Sequence, residues 1–416
     1  MKLCTEDRLT LRMLAERYMS YALSDKNNGN RLLWRSLNDG NMQKPMVAID
    51  QMPWNELDVD GFLACTVKDP YFRRVEWNLR SEIYKWEHLP ADMVLNPYIL
   101  LPRPIANAGY GIRSEYEARA VTDPANSVVS KRYVNQFQEP EDVEKIKTPV
   151  ISIDREAEAG IVAEANEVFG GIAPVRMQGI ILHLGIWDWI AQWMGVENCY
   201  IELMDRPEMI HQIMDRLTEA TLSQIEQINS LGLYDVNTNM CHCSYTFTSS
   251  LPSPDCDKNN PTTHDGWGFG MAQLFTSVSP KVTAEFEVPY MQRLFPHFGA
   301  IYYGCCDRLD DRLDIIDRMP NIKKISCSPW SDRERFAADL PKKYIMSNKP
   351  SPALLAHPCF DEDAVREDLR RTIAAAKSNG LRLEMLLKDI STVKYEPQRL
   401  WRWAEIADEE TKRAAL

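Results

Sequence analysis

At 416 residues the chain exceeds a typical domain of about 100–200 residues, yet one elaborated α/β barrel uses such a length without splitting. A hydrophobic fraction of 44% beside 26% charged residues is ordinary globular usage and excludes a disordered chain. Asp and Glu number 60 against 48 Lys and Arg, and the net charge of −12 argues against nucleic acid or a membrane surface as the main partner.

Residues 1–40 read as an N-terminal helical extension, because Leu9, Leu11, Met13, Leu14, Tyr18 and Met19 are interrupted by charges at helical spacing; no signal peptide is expected there. Short apolar runs that end in polar residues or Pro then recur at 45–50, 93–101, 175–184, 236–243, 300–306, 322–327, 344–347 and 383–387, and these predict strands. The segment 103–170 has weaker periodicity and reads as an excursion with a helix near 156–169. Helical patterns fill 207–231, 280–295, 310–319, 361–379 and 397–407, several opened by Asp, Ser or Pro and closed by Asn-Gly or Leu-Gly. Strand and helix alternate to the end of the chain. About eight such units predict the α/β class and, within it, a single (β/α)8 TIM barrel domain over 1–416. No run approaches the roughly 18 apolar residues of a spanning helix, so a soluble protein is expected. Ten scattered cysteines do not form a secreted disulfide framework, which points to a reducing cytoplasm.

The chemistry-bearing residues follow predicted strands. Cys241-His242-Cys243 ends one, Cys305-Cys306 the next and Cys327 the one after, and in a barrel such ends converge on the face where active sites are built. Thiolates with an imidazole and a vacant position suit catalytic zinc, with His242, Cys243, Cys305 and Cys306 as candidate ligands, although each cysteine alone also suits core filling. Adjacent strand residues point to opposite faces, so one member of the Cys305-Cys306 pair is expected to face the interior unless the strand has already ended. After the first strand come Gln51, Trp54 and Glu56; Pro53 stops pairing, and Glu56 is either a proton-transfer carboxylate or a helix cap. Lys349 and Lys388-Asp389 end two later strands, where a Lys can hold an anion and an Asp can be a hard ligand or an acceptor. Trp54, Trp187, Trp189, Tyr303 and Trp330 near strand ends suit a flat ring substrate. Neither G-x-G-x-x-G after a strand, nor a P-loop, nor a G-x-S-x-G elbow is present.

The runs KPMVAIDQMPWNEL, IYYGCCDRLDDRLDII, NIKKISCSPWSD, YIMSNKPSPALLA and LLKDISTVKYEPQRLWRWAEIA together make the chain resemble the uroporphyrinogen decarboxylase superfamily, and within it the corrinoid-dependent methyltransferase branch. The resemblance implies a (β/α)8 barrel and methyl transfer from a methoxylated compound to the cobalt of a separate corrinoid protein, with zinc or an acid acting on the ether oxygen. It implies Gln51, Trp54, Trp187, Trp330 and Lys349 as substrate contacts, Glu56, Tyr303 and Asp389 as catalytic candidates, and a possible homodimer. Two departures stand out. The arginine-rich element of the decarboxylase is replaced by Asp50-Gln51-Met52-Pro53-Trp54, and the zinc pattern H-x-C reads Tyr303-Gly304-Cys305, with Lys388-Asp389 where the branch has its second Cys. The metal site is thus altered, rebuilt with His242, Cys243, Cys306 or Asp389, or absent. The competing expectations are a decarboxylase using Arg103, Arg113 and Arg176, and a non-catalytic binder of corrinoid or another tetrapyrrole.

Overall fold

A computed structural model describes residues 3–118 and 130–415. At its centre lies a parallel sheet of seven strands: β1 (Met46–Ile49), β2 (His183–Leu184), β3 (Trp267–Gly270), β4 (Ala300–Tyr303), β5 (Ile322–Cys327), β6 (Ile345–Asn348) and β7 (Arg382–Leu387). Their spatial order is β1-β7-β6-β5-β4-β3-β2, with every pairing parallel. Parallel neighbours need crossovers, and helices supply them: Leu313–Ile316 between β4 and β5, Arg333–Asp339 between β5 and β6, and Glu362–Ser378 between β6 and β7. Such strands are covered on both faces and read as continuous apolar runs, as in β1, where all four residues are buried.

The seven principal helices are α1 (Thr5–Ala22), α2 (Asp25–Asn38), α3 (Pro70–His88), α4 (Arg155–Phe169), α5 (Pro207–Ser230), α6 (Glu362–Ser378) and α7 (Gln398–Arg413). On α6, Val365, Leu369, Thr372 and Ala376 form a buried stripe at helical spacing, and the Asp361 carboxylate caps the first turn by accepting from Ala364 N–H at 3.0 Å. Successive residues of β4 divide between two cores. Ile301 and Tyr303 pack with α5, α6 and α7, whereas Ala300 and Tyr302 pack with α1, α2 and α3.

Most expected elements are present, and the differences have local causes. The N-terminal extension is two helices, because the Ser24 hydroxyl accepts from Asn27 N–H at 3.2 Å and starts a second helix. The helix expected over 280–295 breaks at Glu287, where Pro289 removes a donor, and that over 310–319 is the single turn Leu313–Ile316. The strand expected over 236–243 is a turn: Asp235 accepts from the N–H groups of Asn237 (2.6 Å) and Thr238 (3.0 Å), leaving only Met240–Cys241 to pair with Ser244–Tyr245. Its place in the sheet is taken by β3, whose sequence Trp-Gly-Phe-Gly carries no strand signal. A Cβ on Gly268 would lie 2.8 Å from the Phe298 ring and one on Gly270 2.6 Å from Phe295, so both positions require glycine.

Within the 103–170 excursion, residues 119–129 lie outside the described residues. The rest forms two short antiparallel pairs, Ile105–Asn107 with Ile151–Ile153 and Tyr116–Ala118 with Lys131–Tyr133, followed by α4. Among the described residues no ladder joins β1 to β2. Asp92 N–H reaches Val47 O at 3.1 Å, but the strand Ile99–Pro102 that follows pairs with Val175–Gln178, apart from the seven. No described helix is long and apolar enough to cross a membrane.

Candidate active site

Gly304 ends β4 in the left-handed region, φ 91°, and a Cβ there would lie 2.7 Å from Leu309. Past this turn strand alternation no longer applies. Both adjacent cysteines therefore face the same space, with their Sγ atoms 3.7 Å apart. From across the sheet comes His242, itself at φ 55°, its ring stacked on Phe269 with centroids 4.0 Å apart; its Nε2 lies 3.3 Å from Cys305 Sγ. Lys388 and Asp389 follow β7, Asp389 also at φ 55°. Cys306 Sγ donates to Asp389 Oδ2 at 3.2 Å. The Lys388 ammonium lies 3.1 Å from Cys305 Sγ, 2.9 Å from His242 Nε2 and 3.1 Å from Asp389 Oδ2. Left-handed backbone at two non-glycine residues of one small cluster is strain of the kind held at functional sites.

Hydrogen bonding from Cys306 holds the Cys305 thiol well below its ordinary pKa against the effect of burial, with Lys349 and His242 acting in the same direction. The same contact, with burial, pushes Cys306 up. Burial lowers His242 to about 4. Burial also opposes the charge on Lys388, but Cys305, Cys243 and Asp389 more than offset it and raise its pKa. These directions favour the thiolate at Cys305, the neutral imidazole at His242 and the ammonium at Lys388. Asp307 fixes the backbone beneath: its Oδ1 accepts from Cys305 N–H at 2.6 Å.

Cys305, Cys306 and Asp389 each offer a ligand atom within 4.8 Å of the other two. Two thiolates on a tetrahedral zinc, at about 2.3 Å each, stand about 3.8 Å apart, and the observed 3.7 Å matches that edge. The donor set fits zinc, with His242 adjoining it. Beside it opens a cavity of about 250 Å3 lined by Cys306, Pro329, Trp330, Lys349, Lys388 and Asp389, with Trp330 73% exposed at its rim.

Of the residues singled out in the sequence, His242, Cys305, Cys306, Asp389, Lys349 and Trp330 come together here. Lys349 is buried and turned to the protein, donating to Cys305 O (2.7 Å) and Ser326 Oγ (2.8 Å), so it braces the Cys305 turn and does not reach out as an anion hook. The others are placed elsewhere. Tyr303 faces the helix-covered core and donates to Glu287 Oε1 at 3.3 Å, on the opposite side of β4 from Tyr302. Cys243 is buried in the core and, among the described residues, belongs to no ligand group. Trp187 is fully buried, its indole N–H donating to Phe286 O. Trp54 packs on Trp77 and Tyr84. Glu56 is buried and accepts from Thr392 Oγ1 (3.0 Å) and the N–H groups of Val393 (2.7 Å) and Tyr395 (3.1 Å). This is a loop-anchoring contact and resembles neither proton transfer nor helix capping. Gln51 has an exposed side chain at φ 51°, and its carbonyl accepts from Ile390 N–H at 3.1 Å, in the same loop.

Sequence reasoning read Lys388 only as a strand-end lysine able to hold an anion, not as a partner of Cys305 and His242, and missed Asp307 and Phe269. A lysine standing where the resembling branch has a cysteine, and the run Cys-Cys-Asp, were the available signals for the first two.

No protein-family model and no curated protein matches the chain. Among solved structures, a methyltransferase from Methanosarcina mazei is similar over 91% of this chain and 97% of that one, with a TM-score of 0.48 and 12% sequence identity. A likeness this distant carries no argument about function.

Proposed function

We propose that the chain is a methyltransferase that moves a methyl group from a methoxylated aromatic compound to the cobalt of a corrinoid held by a separate protein. The observation that carries the reading is the convergence of two sulfurs, an imidazole, a carboxylate and an ammonium at the carboxyl edge of a parallel sheet, beside an apolar cavity walled by Trp330. In this reading the sheet belongs to one (β/α)8 barrel domain over 1–416, with segment 92–102, tied to Val47 through Asp92, completing the ring where a ladder is missing.

An ether oxygen leaves only when protonated or held by a Lewis acid. Cys305, Cys306 and Asp389 would hold zinc, which would supply Lewis acidity at that oxygen. Lys388 brings the proton: the residue lines the cavity, and its ammonium, once turned away from Cys305 and Asp389, can hydrogen-bond the departing oxygen. The transfer balances as ether, Co(I) and one proton giving phenol and methyl-Co(III). Trp330 and the prolines at 329 and 350 shield one side of the donor from water.

Decarboxylation of a uroporphyrinogen-like or small acid is the weaker reading. Arg103 is paired with Glu158 at 2.9 Å, Arg176 lies over the Tyr98 ring, and among the described residues no arginine touches Cys305, Cys306, His242 or Asp389. The deciding experiment incubates the zinc-loaded protein with Co(I) cobalamin and a panel of methoxyaromatics. Methylcobalamin absorbance with stoichiometric phenol, lost in Cys305→Ser, is expected. Cobalamin binding without methylcobalamin from any donor would leave a corrinoid-binding protein and sink the enzyme reading.

A further inference from the structure

We propose that Lys388 controls metal occupancy of this site: its ammonium occupies two of the three zinc-donor atoms, Cys305 Sγ and Asp389 Oδ2, and a thiophilic divalent metal enters only as that ammonium leaves. The identity of the metal rests on the zinc reading above; the displacement rests on geometry.

The three atoms nearest Lys388 Nζ are His242 Nε2 at 2.9 Å, Cys305 Sγ at 3.1 Å and Asp389 Oδ2 at 3.1 Å. Cys305 Sγ and Asp389 Oδ2 are atoms through which the metal would bind, and both accept from the ammonium with a lone pair, while His242 adjoins that ligand group. A metal about 2.0–2.3 Å from sulfur, nitrogen or oxygen needs those same lone pairs. Ammonium and metal are therefore alternatives. Lys388 directly follows β7 and is 3% exposed, so its backbone is held by the sheet and only its side chain can yield. Space for that movement adjoins it, since Lys388 itself lines the 250 Å3 cavity with Cys306 and Trp330. Lys349 offers the contrast: equally buried, it donates to Cys305 O and Ser326 Oγ, touches no ligand atom, and has no reason to move when metal enters.

Such an arrangement discriminates among metals. Hard cations such as Mg2+ bind thiolate and imidazole poorly and gain too little to expel an ammonium, whereas Zn2+ and Co2+ gain enough. Expelled into the cavity, the ammonium stands where the leaving oxygen of an ether would lie, so metal entry and delivery of the acid become one event.

The test titrates Zn2+ into metal-stripped full-length protein against a chromophoric chelator, and Co2+ with the thiolate-to-cobalt absorption band as a second readout. Lys388→Met, which keeps the length of the side chain and loses the charge, is expected to bind one Zn2+ at least about tenfold tighter than wild type, within the roughly 10–100-fold range over which residues around a metal site shift affinity. Lys388→Met/Cys305→Ser is expected to lose that gain and the cobalt band. Lys388→Gln serves in the same titration if Lys388→Met lowers the melting temperature. Zinc affinity in both single variants equal to or weaker than wild type, or no thiolate-to-cobalt band in any of them, would overturn the proposal. The titration reads metal alone. A protein that transfers no methyl group but shows the tightening refutes the methyltransferase reading and sustains this one.

Discussion

Lys324 and Glu384 form an ion pair at 2.6 Å with neither side chain exposed. Ser244 joins them, donating to Glu384 Oε2 and accepting from Lys324, while the Trp34 and Trp267 ring centroids each lie 5.5 Å from the ammonium. Removing one partner of such a pair leaves an uncompensated charge in a dry interior. Glu384→Ala is expected to cost about 3–5 kcal/mol in urea unfolding, whereas Lys324→Met/Glu384→Leu is expected near wild type. A single-variant loss below about 1 kcal/mol would mean that the ammonium finds water or another partner. Asp188 adds a pH dependence that one substitution can isolate. Burial first, then Cys305 and Asp307, raise its pKa to about 7, against about 3.9 in an unfolded chain. Between these values the folded state holds a proton that the unfolded state has released, so this group's contribution declines as pH rises through the window and is flat above it. Asp188→Asn removes that decline. The stability of the variant relative to wild type should rise from pH 5 to pH 8; a difference constant across that range would show that Asp188 does not titrate there.

At the scale of elements, the loop after β7 carries the site, and Glu56 holds it. One carboxylate oxygen accepts from three groups of residues 392–395, within which Lys394 and Tyr395 are at φ 61° and 56°. Glu56→Ala leaves those donors without their acceptor, at about 1–3 kcal/mol for each buried one. Faster hydrogen exchange at the Val393 and Tyr395 amides and a lower melting temperature are expected, with turnover falling alongside stability and not ahead of it. Lost turnover with unchanged exchange would return Glu56 to proton transfer. The sequence made the parallel strands legible where apolar residues mark them, unbroken in β1 (Met-Val-Ala-Ile) and interrupted in β5, β6 and β7 by polar residues that the fold buries, such as Lys324 and Glu384. It hid β3, whose glycines exist to admit Phe295 and Phe298 from distant sequence. The cysteines were legible from their place at a strand end. Tyr303 was not: two residues from Cys305, strand parity puts both on one face, and only the left-handed turn at Gly304 separates them. Lys388 depends on the same kind of knowledge, since its partners come from turns at His242 and Asp389 that no local pattern announces.

Over the whole molecule, the N-terminal helices do the work of a missing ladder. Where the chain leaves α3 and passes β1, carbonyls that a neighbouring strand would otherwise bind are taken by side chains of α2. Trp34 donates its indole N–H to Asp92 O at 2.6 Å, Asn30 donates to Met93 O at 2.9 Å, and Asn27 donates to Leu95 O at 2.9 Å while accepting from Leu95 N–H at 2.8 Å. Leu11, Leu14, Trp34 and Leu37 are buried in the same core as Met46 and Ala48 of β1 and Tyr302 of β4, so the helices close the sheet's second face as well as its open side. Unpaired buried carbonyls and an uncovered apolar face are both costly, and they fall on one region. Deletion of residues 1–40 is therefore expected to yield a chain that does not fold. Trp34→Ala isolates the effect within the intact chain: it removes a large fully buried ring and one hydrogen bond, and a loss of about 3–5 kcal/mol is expected in urea unfolding. If the 41–416 fragment instead shows the cooperative melt and zinc stoichiometry of the full chain, the extension is an appendage and the sheet closes by pairings of its own.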